Sequence, residues 1–171
     1  TAVIDKGQNA AKTLADVPAG KPYKMQQTTQ NEVLIAPYDA KNIYMIQFHN
    51  DGRQWNPEQQ PVISLFNEYY GGGMNTVVFQ ELREARGLAY SAFAMYGTPG
   101  YKGQPEYAYT YIISQNDKMM DCINTFNSIL NTMPKSDKAF ELAKQALMKR
   151  LASSRTTKFS IINAYLNAEN L

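Results

Sequence analysis

The feature that most constrains the fold of this chain is the segment 106–114, in which side-chain character alternates from residue to residue. Successive side chains of a β-strand point to opposite faces, so alternation at this period is typical of a strand. Aromatic and β-branched residues also favour strands. The segment is therefore predicted to be a strand, with Tyr107, Tyr109, Tyr111 and Ile113 on one face and Ala108, Thr110 and Ile112 on the other.

Three further segments are predicted to be strands. Residues 32–36 form a short apolar run that Pro37 ends, and residues 42–49 alternate in character before the turn at residues 50–52. Turn residues such as Asn, Asp and Gly commonly close a strand. The last of the three covers residues 88–95.

The first helix is predicted to begin at Asn56, which is followed by Pro57 and Glu58. A capping side chain, a proline in the first turn and an acid near the positive end of the helix dipole are helix-start signals. The helix runs to about Tyr70, and three glycines at 71–73 end it. Its inward stripe is predicted to be Val62, Leu65, Phe66 and Tyr69.

The remaining helices follow from similar signals. A second helix covers about residues 75–86 and ends at a Gly87 cap, and a third runs from Asn116 or Asp117 to Pro134. A fourth begins at Ser136, and helix resumes after residue 155. The predicted inward residues are Val78, Leu82 and Ala85, then Met119, Ile123, Phe126 and Leu130, then Phe140, Ala143 and Leu147.

These elements predict an α+β fold, in which a mostly antiparallel sheet of three or four strands is covered by helices on one face. Residues 1–30 are polar, lack periodicity and are predicted to be an arm or linker from a preceding domain. Residues 31–171 are predicted to be one domain. Because the last predicted helix reaches Leu171 without a stop signal, we expect a domain truncated at its C-terminus.

Composition excludes several classes of protein. Hydrophobic residues make up 44% of the 171 and charged residues 19%, so the chain is not wholly disordered. Seventeen basic against fifteen acidic residues give a formal charge of +2, which is too little for a dedicated nucleic-acid binder. No apolar run approaches the roughly 20 residues of a membrane-spanning helix. The sequence does not open on a basic start followed by an apolar segment, so no signal peptide is predicted within it, and one removed before Thr1 stays compatible with it. The compartment stays undetermined.

Most of the individual residues that could take part in catalysis or metal binding are better explained by a structural role. His49 is the only histidine and Cys122 the only cysteine, so this chain alone lacks the ligands of a histidine- or cysteine-based zinc site. We interpret His49 as structural and Cys122 as a buried small apolar residue. Glu81 and Glu84 lie one helical turn apart; an acid–base pair is possible, but a solvated face is favoured.

Two other patterns leave alternatives open. The glycines at 71–73 resemble a phosphate loop, but a helix precedes them and no Gly-Lys-Ser/Thr follows. A helix connector that needs positive φ is therefore favoured. The tyrosines of residues 106–114 either stack on a ligand or pack in the sheet, and packing is favoured.

The stretch 65–91, LFNEYYGGGMNTVVFQELREARGLAYS, carries a more specific signal. It resembles the C-terminal, metal-free repeat of the pitrilysin/insulinase zinc peptidases, in which a helix, a glycine cluster, a second helix and LRE-x-RGLAYS follow in this order. The likeness extends more loosely from about residue 32 to the end of the chain.

The resemblance implies an enzyme built from two related α+β halves around a closed chamber that admits peptides. It implies that zinc is bound by the partner half, through a His-x-x-Glu-His motif that this chain lacks. The partner half is expected either on the same polypeptide or on a separate subunit. In this half, the resemblance implies that Arg83 and Tyr90 reach the substrate at the zinc.

The residues themselves are compatible with these two roles. Arg83 lies away from Val78 and Leu82 on a helical wheel, and Tyr90 follows the Gly87 cap. Arginine supplies a permanent cation and several donors, and tyrosine supplies a neutral O–H donor. Both suit a carbonyl that becomes a tetrahedral oxyanion. A surface ion pair for Arg83 and strand packing for Tyr90 are the structural alternatives.

The hypothesis is therefore the substrate-binding, non-zinc half of a zinc metalloendopeptidase, inactive as an isolated chain. A non-catalytic scaffold or regulatory subunit of the same fold, as in processing peptidases and respiratory complexes, is the main alternative. A small-ligand binding domain that shares only the fold ranks lower.

Overall fold

The computed structural model describes residues 24–170. Its strands are β1 (Asn42–His49), β2 (Ala89–Gly97) and β3 (Tyr107–Gln115). A 3-10 turn, Pro57–Gln59, leads into α1 (Gln60–Tyr70); α2 (Val77–Phe79) continues directly as a π-helix, Gln80–Ala85. The later helices are α3 (Met119–Asn131), α4 (Asp137–Ser153) and α5 (Ile161–Asn170). Most of the predicted arm, residues 1–23, lies outside the described residues.

The three strands form one antiparallel sheet in the order β1-β3-β2. The tyrosine-rich strand, β3, is therefore the central strand and pairs along both of its edges. Its even-numbered residues Thr110, Ile112 and Ser114 are buried. The opposite face carries the tyrosines, which pack with aromatic side chains of β1: Tyr44 lies 6.2 Å from Tyr111 between ring centroids.

Among the described residues, the helices cover the face of the sheet that carries Ile112. The core there joins the buried side chains of α1, the α2–π segment, α3 and α4 to the small residues of β2; its members include Tyr70, Val78, Leu82, Ala92, Ala94, Ile112, Cys122, Phe126 and Ala143. The predicted α+β class, with an antiparallel sheet and helices packed on one face, is confirmed. Alanines on β2 allow the helices to approach the sheet closely.

The strand predicted at residues 32–36 is wrong. These residues adopt no regular structure, and Val33, Leu34 and Ile35 are about 85% exposed. A strand needs a neighbour for its backbone N–H and C=O groups. Among the described residues, β1 pairs with β3 alone, so residues 32–36 have the side chains of a strand but no partner strand.

Two predicted helix stripes are wrong in phase at single positions, and a third is buried at one position only. In α1, Val62 is 70% exposed and Ile63 is buried instead. In α3, Leu130 is exposed and Ile129 is buried. Both helices carry apolar residues at adjacent positions, so spacing alone does not choose between two overlapping stripes. In α4 only Ala143 is buried, and Phe140 is 41% exposed.

The glycines at 71–73 were predicted to need positive φ, and this prediction is wrong. The glycines with positive φ in the described chain are Gly52, Gly87 and Gly103, none of which lies at 71–73. Gly71 instead touches β2: its carbonyl accepts a hydrogen bond from Ala94 N at 3.1 Å, and a Cβ there would collide with the Ala94 carbonyl. Glycine is therefore required at this position for close backbone contact, not for its dihedral angles.

Candidate functional site

The end of the π-helix orients the candidate site. Gly87 has φ +56°, and its N–H donates to the Arg83 carbonyl at 3.0 Å. The next N–H, of Leu88, donates to the Leu82 carbonyl at 2.9 Å. These two bonds satisfy carbonyls at the helix end and turn the chain toward β2, as a glycine C-cap does. The Gly87 cap that the sequence predicted is confirmed.

The π-helical turns explain one error in the predicted helix. Leu82 is fully buried as expected, but Ala85 is exposed. A π-helix bonds residue i to i+5, so it rotates less per residue than an α-helix and carries position 85 off the inward stripe. Arg83 remains on the outer side of the helix, with 45% of its side chain exposed.

Side chains of β3 and α3 hold the link between the helix and β2. The Leu88 carbonyl accepts hydrogen bonds from the Ser114 hydroxyl and, at 3.4 Å, from the Cys122 thiol. The Gly87 carbonyl accepts one from the Lys118 ammonium at 3.2 Å. These three donors fix the positions of Gly87 and Leu88, which lead into Tyr90. Cys122 is buried as predicted, and its thiol is used as a donor.

A β-bulge exposes Tyr90. Ala89 pairs with Ser114 and Ser91 pairs with Ile113, so Tyr90 is the extra residue on β2. Strict alternation back from buried Ala92 would point Tyr90 toward the covered face of the sheet. The bulge instead leaves Tyr90 75% exposed. Bulges of this kind re-aim one side chain and are common beside active sites.

The structure brings Arg83 and Tyr90 together. The Arg83 guanidinium carbon lies 6.0 Å from the centroid of the Tyr90 ring and 4.9 Å from that of Phe79. Contacts of this length are cation–π interactions, worth about 0.5–1 kcal/mol at exposed sites. Arg83 Nε also lies 3.7 Å from a Glu84 carboxylate oxygen, in an exposed ion pair. Such pairs contribute little and hold a side chain loosely.

The two glutamates of this helix are not an isolated carboxylate pair. Glu84 is paired with Arg83, and Glu81 accepts a hydrogen bond from Arg86 at 3.4 Å. Each carboxylate therefore has its own arginine.

Comparison with known proteins identifies a family whose model spans most of the chain. Residues 7–147 match the family model described as the peptidase M16 inactive domain. This chain belongs to that family. The resemblance to the C-terminal, non-zinc domain of the pitrilysin/insulinase peptidases is thereby confirmed.

A solved structure shares the fold of this M16 domain. The crystal structure of a peptidase M16 inactive domain from Pseudomonas fluorescens matches 78% of this chain at 20% identity with a TM-score of 0.57. The match covers 31% of that chain, so the present chain corresponds to less than a third of it. A search of the curated proteins finds no match.

Within residues 24–170, no three His, Cys, Asp or Glu side chains come close enough together to hold a metal ion. His49 is exposed at the end of β1. In the same part of the chain, no helix combines the length and apolarity that crossing a membrane requires.

A second polar cluster lies at the far end of the sheet. Glu106 is buried, and one of its carboxylate oxygens accepts a hydrogen bond from the Tyr96 hydroxyl at 2.6 Å. Burial, followed by this bond to Glu106, raises the pKa of Tyr96 to about 12. Tyr96 lies near the end of β2 and Glu106 directly precedes β3, whereas Tyr90 lies near the start of β2, so this cluster is separate from the candidate site.

Proposed function

We propose that this M16 domain is the substrate-binding, non-zinc half of a two-half zinc metalloendopeptidase, in which Arg83 and Tyr90 contact the peptide carbonyl under attack. One observation supports this most strongly: a helix end and a β-bulge present the two side chains side by side and exposed, with the guanidinium 6.0 Å from the ring. Neither side chain is used to fill the core.

The two groups supply complementary donors. The guanidinium offers several N–H groups in a fixed plane, and the phenol offers one neutral O–H. A peptide carbonyl gains negative charge as it becomes tetrahedral, so donors placed beside it stabilise the transition state more than the ground state. The ion pair with Glu84 is long and exposed, so exchanging it for a substrate carbonyl costs little.

The zinc belongs to the partner half in this proposal. Family resemblance supports the assignment, and this chain has a single histidine. When bound there, zinc supplies an activated water for peptide hydrolysis. The residues of the present chain bind and orient the peptide.

Reconstitution tests the proposal. The zinc-bearing half is identified in the same or a neighbouring reading frame and mixed with this chain, and cleavage of an unstructured peptide is followed. We expect cleavage only when both halves are present, and a loss of kcat in Arg83→Ala. Arg83→Lys keeps the charge but loses the planar fork, so a partial loss is expected.

The scaffold alternative gives a different result. A non-catalytic subunit supports the activity of its partner by folding and docking alone. Unchanged kcat and KM in both Arg83→Ala and Tyr90→Phe, with normal assembly of the halves, would therefore favour the scaffold and refute the roles proposed for these residues.

A further inference from the structure

A shallow depression of about 370 Å³ opens beside Tyr90, at the end of the sheet. Besides Tyr90 and the backbone around Gly87, its lining includes Asn42, Gln115 and Lys118. Asn42 and Gln115 are paired residues on β1 and β3, so two amide side chains are cross-strand neighbours at its wall. The depression therefore carries two neutral polar groups and one cation.

Lys118 is held in place at both ends. Its backbone N–H donates to the Gln115 carbonyl at 3.1 Å, and its carbonyl accepts from Cys122 N at 3.0 Å as α3 begins. Its ammonium donates to the Gly87 carbonyl at 3.2 Å. The cation is therefore attached to the same glycine cap that leads to Tyr90, and it has a defined position relative to the candidate site.

No carboxylate neutralises this cation within residues 24–170. Five ion pairs are formed there, and Lys118 takes part in none of them. Asp117 and Asp121 lie near it on the chain but are not within 4.0 Å of its ammonium. Arg83, by contrast, has Glu84 as a counter-ion. An ammonium has three donors, and the Gly87 carbonyl takes one.

We propose that this depression is a subsite for a carboxylate of the bound peptide, with Lys118 as its ion partner and Asn42 and Gln115 as hydrogen-bond donors. The proposal rests on the proposed function, because the depression matters for specificity only if Tyr90 contacts the scissile peptide. The carboxylate is either an Asp or Glu side chain near the scissile bond or the free C-terminus of the peptide.

The test separates these two sources with matched peptides. One peptide carries Glu and an amidated C-terminus, a second carries Gln and a free C-terminus, and a third carries Gln and an amidated C-terminus. The position of Glu is varied around the cleavage site. Binding is measured by fluorescence anisotropy on the two-half protein after zinc is removed, so that no turnover occurs, and kcat/KM is measured with zinc present.

We expect about 2- to 5-fold tighter binding of one of the two anionic peptides, which is the upper part of the range for exposed ion pairs. The preference should vanish in Lys118→Met, return in Lys118→Arg and weaken at high salt. Lys149→Met, at an exposed lysine of α4, is the matched control and should keep the preference.

The failures are distinguishable. A preference that Lys118→Met leaves unchanged, or equal binding of all three peptides by the wild-type protein, would overturn the subsite. If Lys118 controls binding but Tyr90→Phe has wild-type kcat/KM, the subsite stands and the catalytic role of Tyr90 fails.

Discussion

Tyr90→Phe in the two-half enzyme is the sharpest test of the candidate site. The substitution removes one oxygen atom and keeps the ring. Tyr90 is 75% exposed on a bulge, and no hydrogen bond within residues 24–170 uses its hydroxyl. We therefore expect the free energy of unfolding to change by no more than about 0.5 kcal/mol, as for other surface substitutions. The ring also keeps its 6.0 Å contact with Arg83.

The effect on catalysis is expected to be much larger. If the hydroxyl donates to the developing oxyanion, it acts mainly in the transition state, so kcat falls and KM changes little. Loss of one oxyanion donor commonly costs about 10²-fold in kcat, or roughly 3 kcal/mol. Initial rates over a range of peptide concentrations separate kcat from KM.

Tyr101→Phe is the matched control, because Tyr101 is also exposed, at 60%, but lies in the loop between β2 and β3. It should leave both parameters unchanged. A Tyr90→Phe enzyme that melts normally and keeps wild-type kcat/KM would refute the catalytic reasoning and assign Tyr90 to the surface.

Three further predictions concern the scaffold around the site. Gly87→Val should lower the free energy of unfolding by more than about 1 kcal/mol, because φ is +56° there. No atom lies within 4 Å of the added Cβ, so the loss comes from backbone strain alone. An unchanged denaturation midpoint would contradict the assignment of Gly87 as the helix cap. Gly71→Ala should lower the melting temperature clearly, because its Cβ meets the Ala94 carbonyl, whereas Gly73→Ala, in open space, should not; equal effects would argue against close contact. The pKa of Tyr96 is raised from 10.0 to about 12, so the native state holds this proton more tightly than the unfolded chain. The stabilisation of the native state that results is complete below pH 10 and is lost as the pH rises toward 12. Tyr96→Phe should therefore flatten the decline in melting temperature over this pH range. An identical slope in the variant and the wild type would contradict the raised pKa.

The glycine cap and several element boundaries follow from local signals that the sequence displays. β1 covers Asn42–His49, as alternation and the following turn predict. Asn56 and Ser136 cap their helices with side-chain hydrogen bonds, and Gly87 takes the positive φ expected of a C-cap. Each of these features depends on residues within one turn or one strand, so spacing and residue type are sufficient to predict it.

Arg83 and Tyr90 were identified from a family resemblance, but only the tertiary structure explains how they meet. The bulge at Tyr90 depends on how β2 aligns with β3, and no alternation within β2 reveals it. The donors on the Leu88 carbonyl come from Ser114 and Cys122, more than 25 residues away along the chain.

The errors in the prediction have the same cause. Residues 32–36 have the composition of a strand, yet a strand exists only where another strand pairs with it. The sequence around Gly71 does not show whether glycine is needed there for close contact with Ala94 or for a positive φ. Local sequence determined where β1, the helix that Ser136 caps and the Gly87 cap lie, because capping and alternation act over a few residues. Strand pairing, bulges and close backbone contacts were decided by the tertiary structure, because they join residues that are distant along the chain.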